Sequence, residues 1–196
     1  MRSYNIIRTT KETDIDLTID LDGTGRTNIE TGIGFFDHML TLFAAHGRFD
    51  LVLKCKGDIE VDGHHSVEDI GIALGQAVAN ALGDKKGITR YGTFFLPMDE
   101  TLVMVSLDIS GRPFLVYDAG GAMAPMIGKY DTELTEEFLR AFAYNAGITR
   151  HVKVMYGTKS HHKVEAIFKA LGRALHAAVK INPETADEIP STKGML

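Results

Sequence analysis

The sequence predicts an α/β protein: an α+β sandwich made by a tandem repeat of two similar strand-helix-strand-helix halves, with helices packed on sheets and a pseudo-two-fold axis between them. Three observations carry this. Some stretches alternate apolar and polar residues while others repeat apolar residues at helical spacing, the order of these stretches is the same in both halves, and short motifs recur in matching order. A single domain over residues 1–196 is expected, with repeats over about 1–88 and 89–185 and a C-terminal tail over 186–196.

Taken in order, Asp14 to Leu21 sets Ile15, Leu17, Ile19 and Leu21 on one face of a half-buried strand. Phe36, Met39, Leu40 and Phe43 then recur at helical spacing, and a second alternating stretch runs through Leu51, Leu53 and Cys55. From Val67 the series Ile70, Leu74, Val78 and Ala81 predicts a helix that stops at Gly83. The second half repeats this with strands near Thr101 to Ile109 and Pro113 to Tyr117, a helix from Leu134 to Ala146, a strand from Val152 to Tyr156 and a helix from Val164 to Val179. No Pro- or Ser-rich linker separates the halves.

The motifs repeat residue by residue. Lys11-Glu12-Thr13 and Gly25-Arg26 are echoed by Asp99-Glu100-Thr101 and Gly111-Arg112, and Met39-Leu40 and Phe43-Ala44 by Phe138-Leu139 and Phe142-Ala143. His64-His65-Ser66-Val67-Glu68 is echoed by His161-His162-Lys163-Val164-Glu165, and the match continues through Ala73-Leu74-Gly75 and Ala170-Leu171-Gly172.

Composition narrows the function. The 196 residues, 44% of them hydrophobic, can bury a core without disulfides or a structural metal, and Cys55, the sole cysteine, reads as a small core residue. With 21 basic residues dispersed among 26 acidic ones the net charge is −5, which disfavours nucleic acid or an anionic membrane and points to a small molecule or another protein. The N-terminal residues form no apolar stretch suited to export or insertion, so a cytoplasmic location is expected.

A His-His-x-x-Glu segment opening a helix sets its first histidine and its glutamate on one face and points its second histidine elsewhere, so one segment can serve two metals. Capping is the plainer explanation of the first copy, with Ser66 as N-cap and Glu68 and Asp69 at the positive end of the dipole. In the second copy Ser66 has become Lys163 and Asp69 has become Ala166, yet both histidines and the glutamate persist. Ligation explains what was kept. The helix alignment also sets His38 opposite Glu137, and two-fold pairing yields two ligand sets: His64, Glu68, Glu137 and His162 for one ion, and His65, His161, Glu165 and His38 for the other. Imidazole and carboxylate without thiolate suit Mn2+ or Fe2+, with Zn2+ a further option. His46, His151 and His176 are assigned structural or surface roles, and Gly120-Gly121 a loop.

Gly32-Ile33-Gly34-Phe35-Phe36-Asp37-His38-Met39-Leu40, Asp62-Gly63-His64-His65-Ser66-Val67-Glu68-Asp69, Pro97 to Thr101, Ser110-Gly111-Arg112-Pro113, the second His-His-x-x-Glu and Pro190-Ser191-Thr192-Lys193-Gly194 together resemble the imidazoleglycerol-phosphate dehydratase family of histidine biosynthesis, over essentially the whole chain. The resemblance implies a tandem-repeat α/β fold, two Mn2+ ions per active site, and a large cubic homo-oligomer, a 24-mer, with sites at subunit boundaries. It implies dehydration of imidazole glycerol phosphate to imidazole acetol phosphate, with the metals stabilising the deprotonated imidazole so that the ring can expel the side-chain hydroxyl. It implies Glu12 as the base, with Glu100 as the repeat alternative, and Arg90, Arg112, Lys169, Ser191 and Lys193 as phosphate contacts. The chain departs from part of the family at Glu137, where many members carry histidine, and Glu136 is a neighbouring competitor. Two other readings of the residues are a dinuclear metallohydrolase and a non-catalytic metal-binding assembly.

Overall fold

Each half begins with three strands. In the computed structural model, which describes residues 2–196, β1 (Ser3–Thr9), β2 (Thr13–Asp20) and β3 (Thr27–Glu30) lead into α1 (Gly34–Gly47), β4 (Asp50–Gly57) and α2 (His64–Leu82). The second half runs β5 (Tyr91–Met98), β6 (Thr101–Asp108) and β7 (Phe114–Asp118), then the short hairpin β8 (Met126–Ile127) and β9 (Tyr130–Asp131), then α3 (Leu134–Ala146), β10 (Thr149–Tyr156) and α4 (Ser160–Val179). The sheet orders are β1-β2-β4-β3 and β5-β6-β10-β7. In both sheets the first three strands in that order pair antiparallel, and the last runs parallel to its neighbour across an intervening helix. The duplicated topology expected from the motifs is thus the fold itself.

The strands that alternate cleanly in sequence are the central ones. On β2 Ile15, Leu17 and Ile19 are buried while Asp14 and Asp16 face outward, and Val103, Val105 and Leu107 do the same on β6. β1, β3 and β5, absent from the sequence expectation, are all edge strands; burial alternates along β3 and β5, but their residue types do not follow it, since Tyr91 and Phe95 are exposed and Gly92 is buried.

Helices fill the space between the sheets, and the close helix pairs, α1 with α4 and α2 with α3, each join the two halves. Phe36 meets Phe138 and Phe168 edge-on at 5.3 and 6.2 Å, and Phe43 meets Phe142 at 6.1 Å. Each fully buried ring contributes about 2 kcal/mol by leaving water. The repeated glycine has a packing reason: a Cβ on Gly75 would stand 2.7 Å from the Phe142 carbonyl of α3, and one on Gly172 would collide with the Phe43 carbonyl of α1.

Neither extra residue of the first His-His motif acts as a cap. α2 starts at His64, with Gly63 as N-cap and no side-chain cap, so Ser66 lies inside the first turn and is buried. Asp69 accepts the Thr13 hydroxyl at 2.5 Å and pairs with Arg8 at 2.6 Å, tying α2 to the first sheet. Among the described residues no helix is long and apolar enough to cross a membrane. Cys55 is partly buried against the core, which pushes its thiol up to about 11.

Asp50 anchors the turn before β3. It accepts the amides of Thr24, Gly25 and Arg26 at 2.8, 3.1 and 3.0 Å and the Arg26 guanidinium at 2.6 Å. These bonds, the Arg26 side chain foremost, hold its carboxyl well below the usual range. Its contribution is therefore complete above the ordinary carboxylate pKa and fades as pH drops below about 4. Asp50→Asn is expected to cost about 1 kcal/mol at pH 7 and to flatten the acid limb, as read from urea midpoints at pH 7 and pH 3.

Candidate metal centre

The first turns of α4 set His161 and Glu165 on one face, with Nε2 and Oε2 3.0 Å apart. His38 of α1 brings its Nε2 to 3.7 Å from the same oxygen, and the Lys169 ammonium lies 2.5 Å from the other. Glu165 is nearly buried; desolvation pushes its carboxyl up, but Lys169 and His161 outweigh this and leave it below its ordinary value. Phe35 packs edge-on against His161 at 5.2 Å. Three members of one expected set, His38, His161 and Glu165, therefore meet.

The two-fold mates meet more loosely. His64 Nε2 is 3.6 Å from Glu68 Oε2 on the first turn of α2, and His64 and Glu137 of α3 line one cavity of about 500 Å³ with Asp62, Lys129, Asp131 and Glu133. Glu136 does not line that cavity. Arg140 bridges the two glutamates, donating to Glu137 at 2.8 Å and to Glu136 at 2.6 Å. Glu137 thus shares a cavity with His64, and Glu136 does not.

The second histidine of each motif stands apart from the set assigned to it. His65 places Nδ1 2.9 Å from Asp58 and Nε2 3.7 Å from Glu12, and the hydrogen bond with Asp58 raises its pKa. His162 places Nδ1 2.7 Å from Glu100, with Asp99 at 4.0 Å. Asp99, Glu100 and His162 are close enough to one another to hold a cation by spacing alone. Glu100 is already engaged, however, accepting the Lys159 amide at 2.8 Å and the Thr158 amide at 3.3 Å where α4 begins. The Lys159 amide first, and His162 next, hold its carboxyl far below the ordinary range. The common feature of His65 and His162 is a ring fixed at Nδ1 by a carboxylate with Nε2 left for another partner, the orientation that metal-bound imidazoles adopt. Sequence reasoning did not select Asp58, which lies in the loop after β4 and belongs to no repeated motif.

Four of the five expected phosphate contacts, Arg90, Arg112, Ser191 and Lys193, make no contact with the ligand groups of their own chain. Arg90 donates to Asp108 at 2.7 Å and to the carbonyl of Pro190, the residue before Ser191, at 2.8 Å. Arg112 lies on the Ser110-Gly111-Arg112 turn, against which Leu196 rests. The Arg90 amide donates to Ala178 near the end of α4, about 25 Å along the helix from His161. Of the five, only Lys169 stands beside a metal-ligand candidate of its own chain.

These residues sit in a chain with close relatives. The family profile described as imidazoleglycerol-phosphate dehydratase matches residues 31–175. The imidazoleglycerol-phosphate dehydratases of Xanthobacter autotrophicus and Acetivibrio thermocellus are 60% and 58% identical to it, each aligned over 100% of this chain and 99% of the relative. Among solved structures, the dehydratase of Staphylococcus aureus superposes with a TM-score of 0.83 at 42% identity, covering 92% of this chain and 99% of that one. The enzyme of Pyrococcus furiosus superposes with the same score of 0.83 at 38% identity, covering 97% and 100%. By sequence over its full length and by fold, the chain belongs to the imidazoleglycerol-phosphate dehydratase family of hydro-lyases.

Proposed function

We propose that the chain converts imidazole glycerol phosphate to imidazole acetol phosphate and water, in the cytoplasm, at a di-manganese centre completed by more than one copy of itself. The observation that carries the reading is the two-fold pair of ligand groups, His38 with His161 and Glu165, and His64 with Glu68 and Glu137, each drawing on both halves. Their nitrogen and carboxylate donors, with no thiolate, fit Mn2+. Mn2+ bound there supplies Lewis acidity that favours the deprotonated imidazole of the substrate.

The chain's own groups do the rest. Glu12 is exposed, and its side-chain carboxylate has only the distant His65 nearby, so it is free to take the carbon-bound proton. Glu100, saturated by donors, is the weaker base. Arg90 and Arg112, with Ser191 and Lys193, offer the donors a phosphomonoester needs, guanidinium groups matching its oxygens in pairs. Their separation from the ligand groups of the same chain, and the open Nε2 of His65 and His162, support a site assembled across subunits.

A 24-mer fits this arrangement. The outer face of the second sheet presents Tyr91, Phe95, Phe114 and Met155, exposed by 56, 55, 56 and 44%, which favours burial against another copy. The matching face of the first sheet carries Asp14, Asp16, Lys54 and Lys56.

Incubation of Mn2+-loaded protein with imidazole glycerol phosphate, beside a chelator-stripped sample, is expected to yield the ketone product only with metal. Equal product in both samples overturns the metal mechanism, and no product in either overturns the substrate.

A further inference from the structure

The two halves differ most between their third strand and first helix. Only Thr31, Gly32 and Ile33 separate β3 from α1, whereas residues 119–133, including the β8-β9 hairpin, separate β7 from α3. This insert supplies Met126, Lys129, Asp131 and Glu133 to the cavity of His64 and Glu137. The symmetry-related cluster of His38, His161 and Glu165 has no such wall from the first half.

The insert is fastened to α4 beside its histidines. Lys163, 2% exposed and free of any carboxylate among the described residues, donates its ammonium to the carbonyls of Gly120 at 3.3 Å and Ala122 at 3.5 Å. One turn away the Ser160 hydroxyl accepts the Ala124 amide at 2.8 Å. Gly120 and Gly121, at φ 63° and 96°, let the chain double back so that these carbonyls face α4. At the far end Tyr130 is fully buried, with its ring centroid 5.3 Å from Phe35, the ring that packs on His161, and its hydroxyl 3.0 Å from Thr135. In the first half the position of Lys163 is held by Ser66, whose hydroxyl lies against Gly57 where a Cβ would collide. That half has no insert to hold.

We infer that Lys163 is a positioning residue: its buried ammonium clamps the 119–131 insert onto the turn bearing His161 and His162, and so sets the wall of the His64 cavity and makes the two metal sites unequal. A buried cation bonded only to carbonyls is costly unless those bonds form, so the clamp is closed in the folded chain and the insert lies where the carbonyls require. The wall adjoins substrate without taking part in proton transfer, so loosening it weakens substrate binding and leaves the chemical step alone. This consequence rests on the dehydratase reading; the clamp itself does not.

The test uses the full chain with 13C-methyl-labelled methionine, where Met126 reports the wall directly. Lys163→Met removes the donor at similar volume, Lys163→Arg restores a cationic donor, and Ser160→Ala loosens the neighbouring anchor if Lys163→Met does not fold. Lys163→Met, or Ser160→Ala in its place, is expected to shift or broaden the Met126 methyl signal, to speed amide exchange in residues 119–131, and to raise KM for imidazole glycerol phosphate about tenfold at unchanged kcat, with Lys163→Arg close to wild type. An unmoved Met126 signal overturns the clamp. A moved signal with KM unchanged, or with kcat lost in step with global stability, overturns the positioning role. A wild-type protein inert toward this substrate defeats the dehydratase reading and the substrate part together, while the methyl and exchange measurements still decide the clamp.

Discussion

Glu12→Gln is expected to lower turnover of imidazole glycerol phosphate by about a thousandfold while Mn2+ content stays at the wild-type level. The substitution keeps size and hydrogen bonding but removes the basic lone pair. Glu12 is no member of either ligand group, and its nearest charged neighbour, His65 at 3.7 Å, is fixed by Asp58 rather than by Glu12. Glu100→Gln is expected to behave differently, because Glu100 is occupied where α4 begins. Its loss removes a charge-assisted acceptor for two amides and frees His162, lowering the melting temperature and weakening metal retention. Steady-state rates, metal content by atomic absorption and melting curves on the two variants separate these roles. Loss of metal in Glu12→Gln, or equal rate losses with metal retained in both, overturns the assignment.

Arg150→Leu is expected to stabilise the fold by about 2 kcal/mol, or roughly 4–8 °C in Tm, without altering activity. Arg150 is fully buried on the inner face of β10. Its Nη1 donates to the Leu139 carbonyl at 3.3 Å and its guanidinium lies 4.5 Å from the centre of Phe142, but Nε and Nη2 have no partner. Burial disfavours its charge, pushing the group down to about 9. The aromatic face returns part of the desolvation cost, not all of it. The repeat supplies the replacement: Arg150 pairs with Leu107 across β6 as Leu51 pairs with Ile19 across β2, so leucine already fills the equivalent site. Differential scanning calorimetry decides, and a lower Tm for the variant rejects the claim.

What the sequence discloses here follows from which forces leave a periodic trace. The helices and the central strands bury one face, so their apolar spacing is regular and their positions are legible. β1, β3 and β5 each pair on one side only and present mixed faces; β5 even carries Gly92 and Pro97, which depress any strand signal. At the site, residues repeated in both halves were readable because ligation leaves the same side chains at the same spacing. Asp58, Lys163 and Arg150 were not, since each acts through a contact made once, in one half, with a loop or a buried neighbour. The separation of His65 and His162 from their expected partners was equally hidden, because motif pairing cannot tell a neighbour in the same chain from one in another copy.

Because both close helix seams run from one half to the other, neither half on its own encloses its aromatic side chains. Severed from its twin, each would leave those rings facing water, so an isolated half is expected to fold only by pairing with another half.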